Sequence, residues 1–252
     1  MKTFESEWRA RFERFGRMYT GEADISGWSE AGLRRRVALF SSLVATLPLP
    51  ATGTVLDLGC GAGTYVRHLA GLGHRAVGID YSVPSLGHAL TADPGRKGAY
   101  VAGEAGRLPF GDTGFDFVMC VGVLQALSES ERVLDEITRV LRPGGVALVE
   151  ILNGRGLRAR LQRGRERLLR RPPRVRTYDP VDVRRSLRAR GLAPVREAAL
   201  RLPPRSLPGL ERLFDWSPVS RALNAWPGLA QATTHALWLI ARKPPLPGDR
   251  LP

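Results

Sequence analysis

Val55-Leu-Asp-Leu-Gly-Cys-Gly-Ala-Gly63 is the stretch that decides the fold. A short apolar run passes straight into three closely spaced glycines, and a helix-forming segment at about 63–72 follows. Glycine is needed where a backbone turns sharply or must approach a ligand with no side chain between them. The spacing Gly59, Gly61, Gly63 departs from the dinucleotide fingerprint G-x-G-x-x-G, because Thr64 stands where that motif has its third glycine. No Gly-Lys-Ser/Thr follows, so the loop is not the phosphate loop of an ATPase.

Working outward, the next apolar run closes as Val77-Gly-Ile-Asp80. An acid at the end of a second strand is placed to accept both hydroxyls of a ribose. Apolar runs at Thr54–Leu58, Ala76–Ile79, Tyr100–Ala102, Phe115–Val121 and Val146–Leu152 alternate with helical stretches at about 63–72, 83–90 and 129–141. That alternation predicts an α/β fold, a parallel sheet covered by helices on both faces. Ser128 and Glu131 read as a capping box opening the helix at 129–141. Gly103-Glu-Ala-Gly-Arg-Leu-Pro-Phe110 follows the third strand, and Val140-Leu-Arg-Pro-Gly-Gly145 precedes the fifth.

With these motifs in place, the chain resembles the class I S-adenosylmethionine-dependent methyltransferases, in the branch acting on small molecules and lipids. The resemblance covers about residues 35–152 and extends more loosely to Tyr178–Gly191 and His235–Lys243. It implies a Rossmann-like, doubly wound, mostly parallel seven-stranded sheet in the order 3-2-1-4-5-7-6, with the seventh strand antiparallel. It also implies S-adenosylmethionine as cofactor and no metal. On this similarity, Gly59, Cys60, Gly61 and Gly63 let the backbone touch the methionine part of the cofactor, and Asp57 orients its ammonium through the loop. Asp80 would hold the ribose hydroxyls, with Tyr81 beside the adenine. Glu104 and Ala105 would meet the adenine edge, Glu standing where the family usually has Asp. Cys120 and Val121 would end the fourth strand beside the reacting methyl. The Cys60 thiol reads as a small buried filler, since no neighbouring His or Lys in sequence lowers its pKa.

On the substrate side the resemblance points to Tyr19, Trp28 and Tyr178. No residue stands out as a general base: the segment after the fourth strand is Val123-Leu-Gln-Ala-Leu127, where relatives often carry a histidine. His235, at the start of the last strand, reads as structural. Methyl transfer by in-line displacement makes few demands on a base, because proximity and exclusion of water supply much of the acceleration.

The flanks complete a single domain over 1–242. Phe4, Trp8, Phe12, Phe15 and Tyr19 share one helical face, and a second helix at about 29–47 ends at Pro48 and Pro50, so 1–50 reads as N-terminal helices forming a lid. Residues 51–152 are the expected cofactor-binding core. An Arg-rich helix at 157–171, with Leu157, Leu161 and Leu168 in a stripe, opens the substrate-side segment 153–230. Asp179-Pro180 starts another helix running to Gly191, Pro194–Leu200 reads as a strand, and a proline-rich stretch at 203–230 with Phe214, Trp216 and Trp226 reads as a loop and short helix. The final strand is expected at Thr234–Arg242 within segment 231–242, and a disordered tail at 243–252.

Composition narrows the function classes. With 43% hydrophobic and 25% charged residues the chain is neither disordered nor collagen-like. No apolar run reaches the length of a membrane span, and the first residues lack the apolar stretch of a signal peptide. Two cysteines make no disulfide framework, so a cytoplasmic setting is expected. The net charge of +14 is concentrated: residues 155–212 hold 18 Arg, no Lys and 5 acids, a net of +13. Residues 155–176 are therefore a candidate for peripheral contact with an anionic membrane, although 35 Arg against 3 Lys in the whole chain also fits a compositional bias. The alternative function is an RNA or other nucleic-acid methyltransferase using this face. Against it, the fourth strand lacks an Asn/Asp-Pro-Pro-Tyr/Phe signature, and few aromatics lie among the arginines for base stacking.

Overall fold

The structure, a computed structural model, describes residues 3–201 and 225–247. Of the loop and short helix expected at 203–230, residues 203–224 with Phe214 and Trp216 lie outside the described residues, as do 248–252 of the expected tail.

Seven strands form one sheet: β1 (Thr54–Leu58), β2 (Arg75–Asp80), β3 (Ala99–Ala102), β4 (Phe115–Cys120), β5 (Leu141–Leu152), β6 (Ala193–Leu200) and β7 (Ala236–Arg242). Their order is β3-β2-β1-β4-β5-β7-β6, and β7 runs antiparallel to both of its neighbours. The inner strands are nearly all apolar, as expected for strands covered on both faces. Helices α4 (Thr64–Gly71), α5 (Val83–Ala92), α6 (Ser130–Val140), α7 (Leu157–Leu168), α8 (Pro180–Ala189) and α9 (Pro227–Thr233) are set between or beside these strands, after α1 (Phe4–Met18), α2 (Glu22–Ile25) and α3 (Glu30–Val44). On one face Val133, Leu134 and Ile137 of α6 pack with Val183 and Leu187 of α8. On the other, Phe40 and Leu43 of α3 pack with Tyr65 and Leu69 of α4 around the fully buried Trp238.

The register of the inner strands makes the site. Leu58 pairs with Ile79 on one side and Cys120 on the other, and Asp80 pairs with Ala102. The residues one step onward, Gly59, Asp80, Val121 and Gly103, therefore converge at the carboxyl edge of the sheet, where an open α/β sheet forms its ligand crevice.

The helix starts follow side-chain caps: Ser29 Oγ accepts the Gly32 N–H at 3.1 Å for α3, and Asp179 accepts that of Val181 at 2.9 Å for α8. The capping box expected at Ser128 and Glu131 is absent. Glu129 is the N-cap of α6 with no side-chain bond, while Glu131 reaches Ser186 and Arg190 on and beyond α8. Strand β5 begins at Leu141 rather than Val146, accommodating Arg142-Pro-Gly-Gly145 by a register shift opposite Phe115–Phe117. The last strand begins at Ala236, two residues later than expected. Lys243, assigned to the tail by sequence, is instead anchored, its ammonium donating to the Thr138 and Leu141 carbonyls at 2.7 and 2.8 Å.

The N-terminal helix lies across α5. A Cβ at Gly16 would lie 2.9 Å from the Ser85 backbone nitrogen, and the Gly16 carbonyl is 2.8 Å from His88 Nε2. The four-residue α2, unforeseen in the sequence, buries Ala23 and Ile25 and joins Glu22 to Thr64 and Arg67 on α4. Arg36 of α3 and Glu150 of β5 form a buried ion pair, 2% and 0% exposed, at 3.1 Å.

Candidate active site

The glycine loop is held by strand β2. The Gly59 and Cys60 N–H groups both donate to the Ile79 carbonyl, at 2.7 and 3.1 Å. All three glycines adopt positive φ, +70°, +52° and +77°, which side-chain-bearing residues rarely take. A Cβ at Gly59 would lie 2.3 Å from Val123 Cγ2, and one at Gly63 would lie 2.7 Å from Tyr100 Cε1. At Gly61 the nearest atom would be Ser26 Oγ at 3.7 Å, so here the backbone faces open space.

Asp80 stands opposite with its carboxylate fixed: Oδ2 accepts the Gly61 N–H and Oδ1 the Ser82 N–H, each at 2.8 Å. Burial pushes its carboxyl up, and these N–H donors oppose that shift. Each oxygen has lone-pair capacity beyond the one bond it accepts. Asp57 is buried beneath the loop, its Oδ2 has no hydrogen-bond partner, and burial with the nearby Asp80 charge raises its carboxyl well above the usual range. An orphaned buried carboxylate oxygen calls for a donor.

These residues open onto a cavity of about 560 Å³, lined by Gly59, Gly61, Asp80, Tyr81 and Val121, with Glu104 and Ala105 at the β3 end. Asp57, Cys60 and Gly63 do not line it. Cys60 packs its sulfur toward Gly78, and the open side of Gly63 faces Tyr100. Cys120, expected beside the reacting group, is fully buried in the core, and burial raises its thiol.

The N-terminal helix closes the cavity. Trp8, Arg9 and Phe12 line it, and Arg9 pairs with Glu104 at 2.7 Å while its guanidinium lies 5.1 Å from the Tyr81 ring centroid. The Glu104 departure from Asp thus has a counterpart: the extra methylene carries the carboxylate to a cation on α1. Sequence reasoning identified Trp8 and Phe12 as one helical face but not as cavity wall, and missed Arg9 and Ser26 altogether. The lone cue was the unusual density of aromatics on that face.

Of the three substrate-side candidates, only Trp28 is at the site. Its indole packs on Gly122, where a Cβ would lie 2.6 Å from Cζ2, and Arg36 lies 4.3 Å over its ring. Tyr19 is the exposed C-cap of α1, in edge contact with Phe15. Tyr178 is a strut, its hydroxyl donating to the Leu124 carbonyl at 2.7 Å beneath the turn that follows β4. Neither lines this cavity, because each is taken up by local packing.

A second cavity of about 310 Å³ shares Trp8, Phe12, Ser26 and Trp28 with the first. Its floor includes Gln125, Asn153 and His235. Burial, with Arg158 and Arg36 nearby, lowers the His235 imidazole to about 3, so the ring is neutral through the physiological range. Among the described residues no cluster of His, Cys, Asp or Glu could hold a metal ion.

The residues present fit an adenosyl sulfonium donor: a fixed carboxylate for ribose hydroxyls and bare backbone at Gly61, with Asp57 beneath the loop and off the cavity wall. Comparisons with known proteins agree. A family profile described as a methyltransferase domain matches residues 56–149. A demethylmenaquinone methyltransferase of Roseiflexus sp. (strain RS-1) is 30% identical over 236 residues, 88% of this chain and 90% of that relative. A second, from Roseiflexus castenholzii, is 33% identical over 147 residues, 56% of this chain and 60% of that protein, so this match spans less than two thirds of its length. Among solved structures, a magnesium protoporphyrin IX methyltransferase from Synechocystis with bound SAH superposes with a TM-score of 0.64 at 15% identity, covering 96% of this chain and 100% of that one. At that identity the likeness is one of fold.

Proposed function

Because the chain belongs to the class I S-adenosylmethionine-dependent methyltransferases, with S-adenosylmethionine as its cofactor, we propose that it methylates a small-molecule or lipid-linked acceptor. The observation that carries this reading is the cavity at the carboxyl edge of the sheet with a smaller one beside it, the two sharing Trp8, Phe12, Ser26 and Trp28. The relative named for demethylmenaquinone supports a small-molecule acceptor over a nucleic acid. A cavity of about 310 Å³ is at the small end of the range for ligand pockets and suits a ring system of modest size.

When bound, the cofactor supplies an electrophilic methyl on a sulfonium. On this reading Asp80 accepts hydrogen bonds from the ribose hydroxyls and the Gly61 backbone, tied to Asp80, lies against the cofactor, which fixes the position of the methyl. Trp8, Phe12 and Trp28 exclude water from the junction, which favours a displacement in which positive charge fades. No histidine lines the larger cavity among the described residues, so transfer rests on proximity and in-line approach. Asp80→Asn should keep the fold and weaken binding of S-adenosylhomocysteine about tenfold, roughly one charge-assisted hydrogen bond. Calorimetric titration reads this directly, and unchanged affinity would remove Asp80 from the ribose role.

Peripheral contact with an anionic membrane through 155–176 is the finer part of the proposal. Supporting it, Leu157, Leu161 and Leu168 are 56%, 65% and 83% exposed on α7, interleaved with arginines. Apolar side chains among cations are the pattern of an interfacial helix. Among the described residues no helix is long and apolar enough to cross a membrane. The protein should sediment with phosphatidylglycerol vesicles at low salt and much less with phosphatidylcholine ones, and Leu161→Asp with Leu168→Asp should release it. Equal binding by that variant would rule the helix out.

A further inference from the structure

The smaller cavity has an uneven chemistry. Arg11, Arg36, Arg158 and Arg174 contribute to its lining, and among the described residues no Asp or Glu does. Arg36 lies deep and is answered by Glu150. Arg11, Arg158 and Arg174 are exposed and come from three separate segments, α1, α7 and the stretch after α7, with Arg11 also 4.7 Å over the Trp8 ring, so three arginines stand around the mouth. The wall toward the cofactor cavity is aromatic, made of Trp8, Phe12 and Trp28.

The inner end asks for something different. The one-turn helix Leu124–Ala126 stands between the two cavities: Val123, Ala126 and Leu127 line the larger one, while Gln125 lines the smaller. Gln125 is only 8% exposed, and its Oε1 has no hydrogen-bond partner. A buried amide oxygen left in this state is satisfied by a ligand O–H or N–H. Nearby His235 is neutral and carries no cation to repel such a donor.

We propose that the smaller cavity is the acceptor site, and that it takes a flat ring bearing a hydroxyl or amine at the inner end and an anionic group, a carboxylate or phosphate, at the outer end. The ring lies along the aromatic wall, the donor meets Gln125 Oε1, and the anion faces the arginines at the mouth. This rests on the methyltransferase reading and names its substrate class. In the transfer, a lone pair on the acceptor oxygen or nitrogen forms the new bond to the methyl carbon. The pair of the broken carbon–sulfur bond stays on sulfur and cancels its charge, and the acceptor proton leaves to solvent water. Two of the ten arginines in 155–176, Arg158 and Arg174, are thereby assigned to this cavity.

The test is a binding titration by tryptophan fluorescence, using 6-hydroxy-2-naphthoate, its methyl ester and 2-naphthoate as probes, with S-adenosylhomocysteine titrated on the same samples. The free acid should bind at least about tenfold tighter than the ester, and the gap should shrink with salt and in Arg158→Gln with Arg174→Gln. Removing the hydroxyl should weaken binding to the native protein and have little effect in Gln125→Leu. S-adenosylhomocysteine bound normally, with acid and ester equal, would overturn the acceptor class while leaving the methyltransferase reading intact. The stated probe preferences without any S-adenosylhomocysteine binding would support the cavity's ligand class and sink the enzymatic reading instead.

Discussion

Arg36→Ala should lower the free energy of unfolding by about 3–5 kcal/mol, the usual cost of leaving one member of a buried ion pair uncompensated. Glu150 is fully buried on β5, its Oε1 receives both the Nε and the Nη2 of Arg36 at 3.1 Å, and its Oε2 has no hydrogen-bond partner. Once the guanidinium is gone, no other cation among the described residues is paired with that carboxylate. The same substitution strips the cation from beneath Trp28, whose ring lies 4.3 Å away and walls both cavities. Stability and ligand seating should therefore fall together. Urea unfolding measures the first, and the double variant Arg36→Met with Glu150→Leu should regain most of it, because the charge is then removed with its partner. A loss no larger than that of an exposed arginine would show that Glu150 reaches solvent.

The glycine loop gives the second large effect, and its members should fail in different ways. Gly59→Ala combines left-handed backbone strain of about 1–2 kcal/mol with overpacking against Val123 of about 1–3 kcal/mol. The stiff, β-branched Val123 cannot yield easily at a built distance of 2.3 Å. Its main readout is a lower midpoint of unfolding. Gly61→Ala carries the same kind of strain but meets nothing closer than Ser26 Oγ at 3.7 Å. Its methyl would stand on the cavity side, so affinity for S-adenosylhomocysteine should fall about tenfold to a hundredfold, with a modest change in stability. If Gly61→Ala bound normally and Gly59→Ala alone lost affinity, the loop would approach its ligand at a different point.

These contrasts show what the sequence could convey. A glycine triplet and an acid at the end of the next strand are demands on backbone shape, and such demands are written locally. The strands and the converging tips at Gly59, Asp80 and Val121 were therefore legible. The outer strand order needed the family resemblance, since nothing in 193–242 says which of two strands lies nearer the centre. The N-terminal helix was half legible. Phe4, Trp8 and Phe12 declared a helical face by their spacing, but the contact that orients it, Arg9 to Glu104, joins residues far apart in the chain. Tyr178 misled because a half-buried tyrosine serves equally as wall or strut, and its bond to the Leu124 carbonyl decides the matter. At Ser128 the capping pattern was present, but Glu131 found stronger partners across the groove in Ser186 and Arg190.

The placing of the first helix has a consequence for exchange with solvent. Trp8 and Phe12 belong to both chambers, so the two share a wall carried by one helix. Any swing of this helix about its seat at Gly16 would reshape both chambers in one movement.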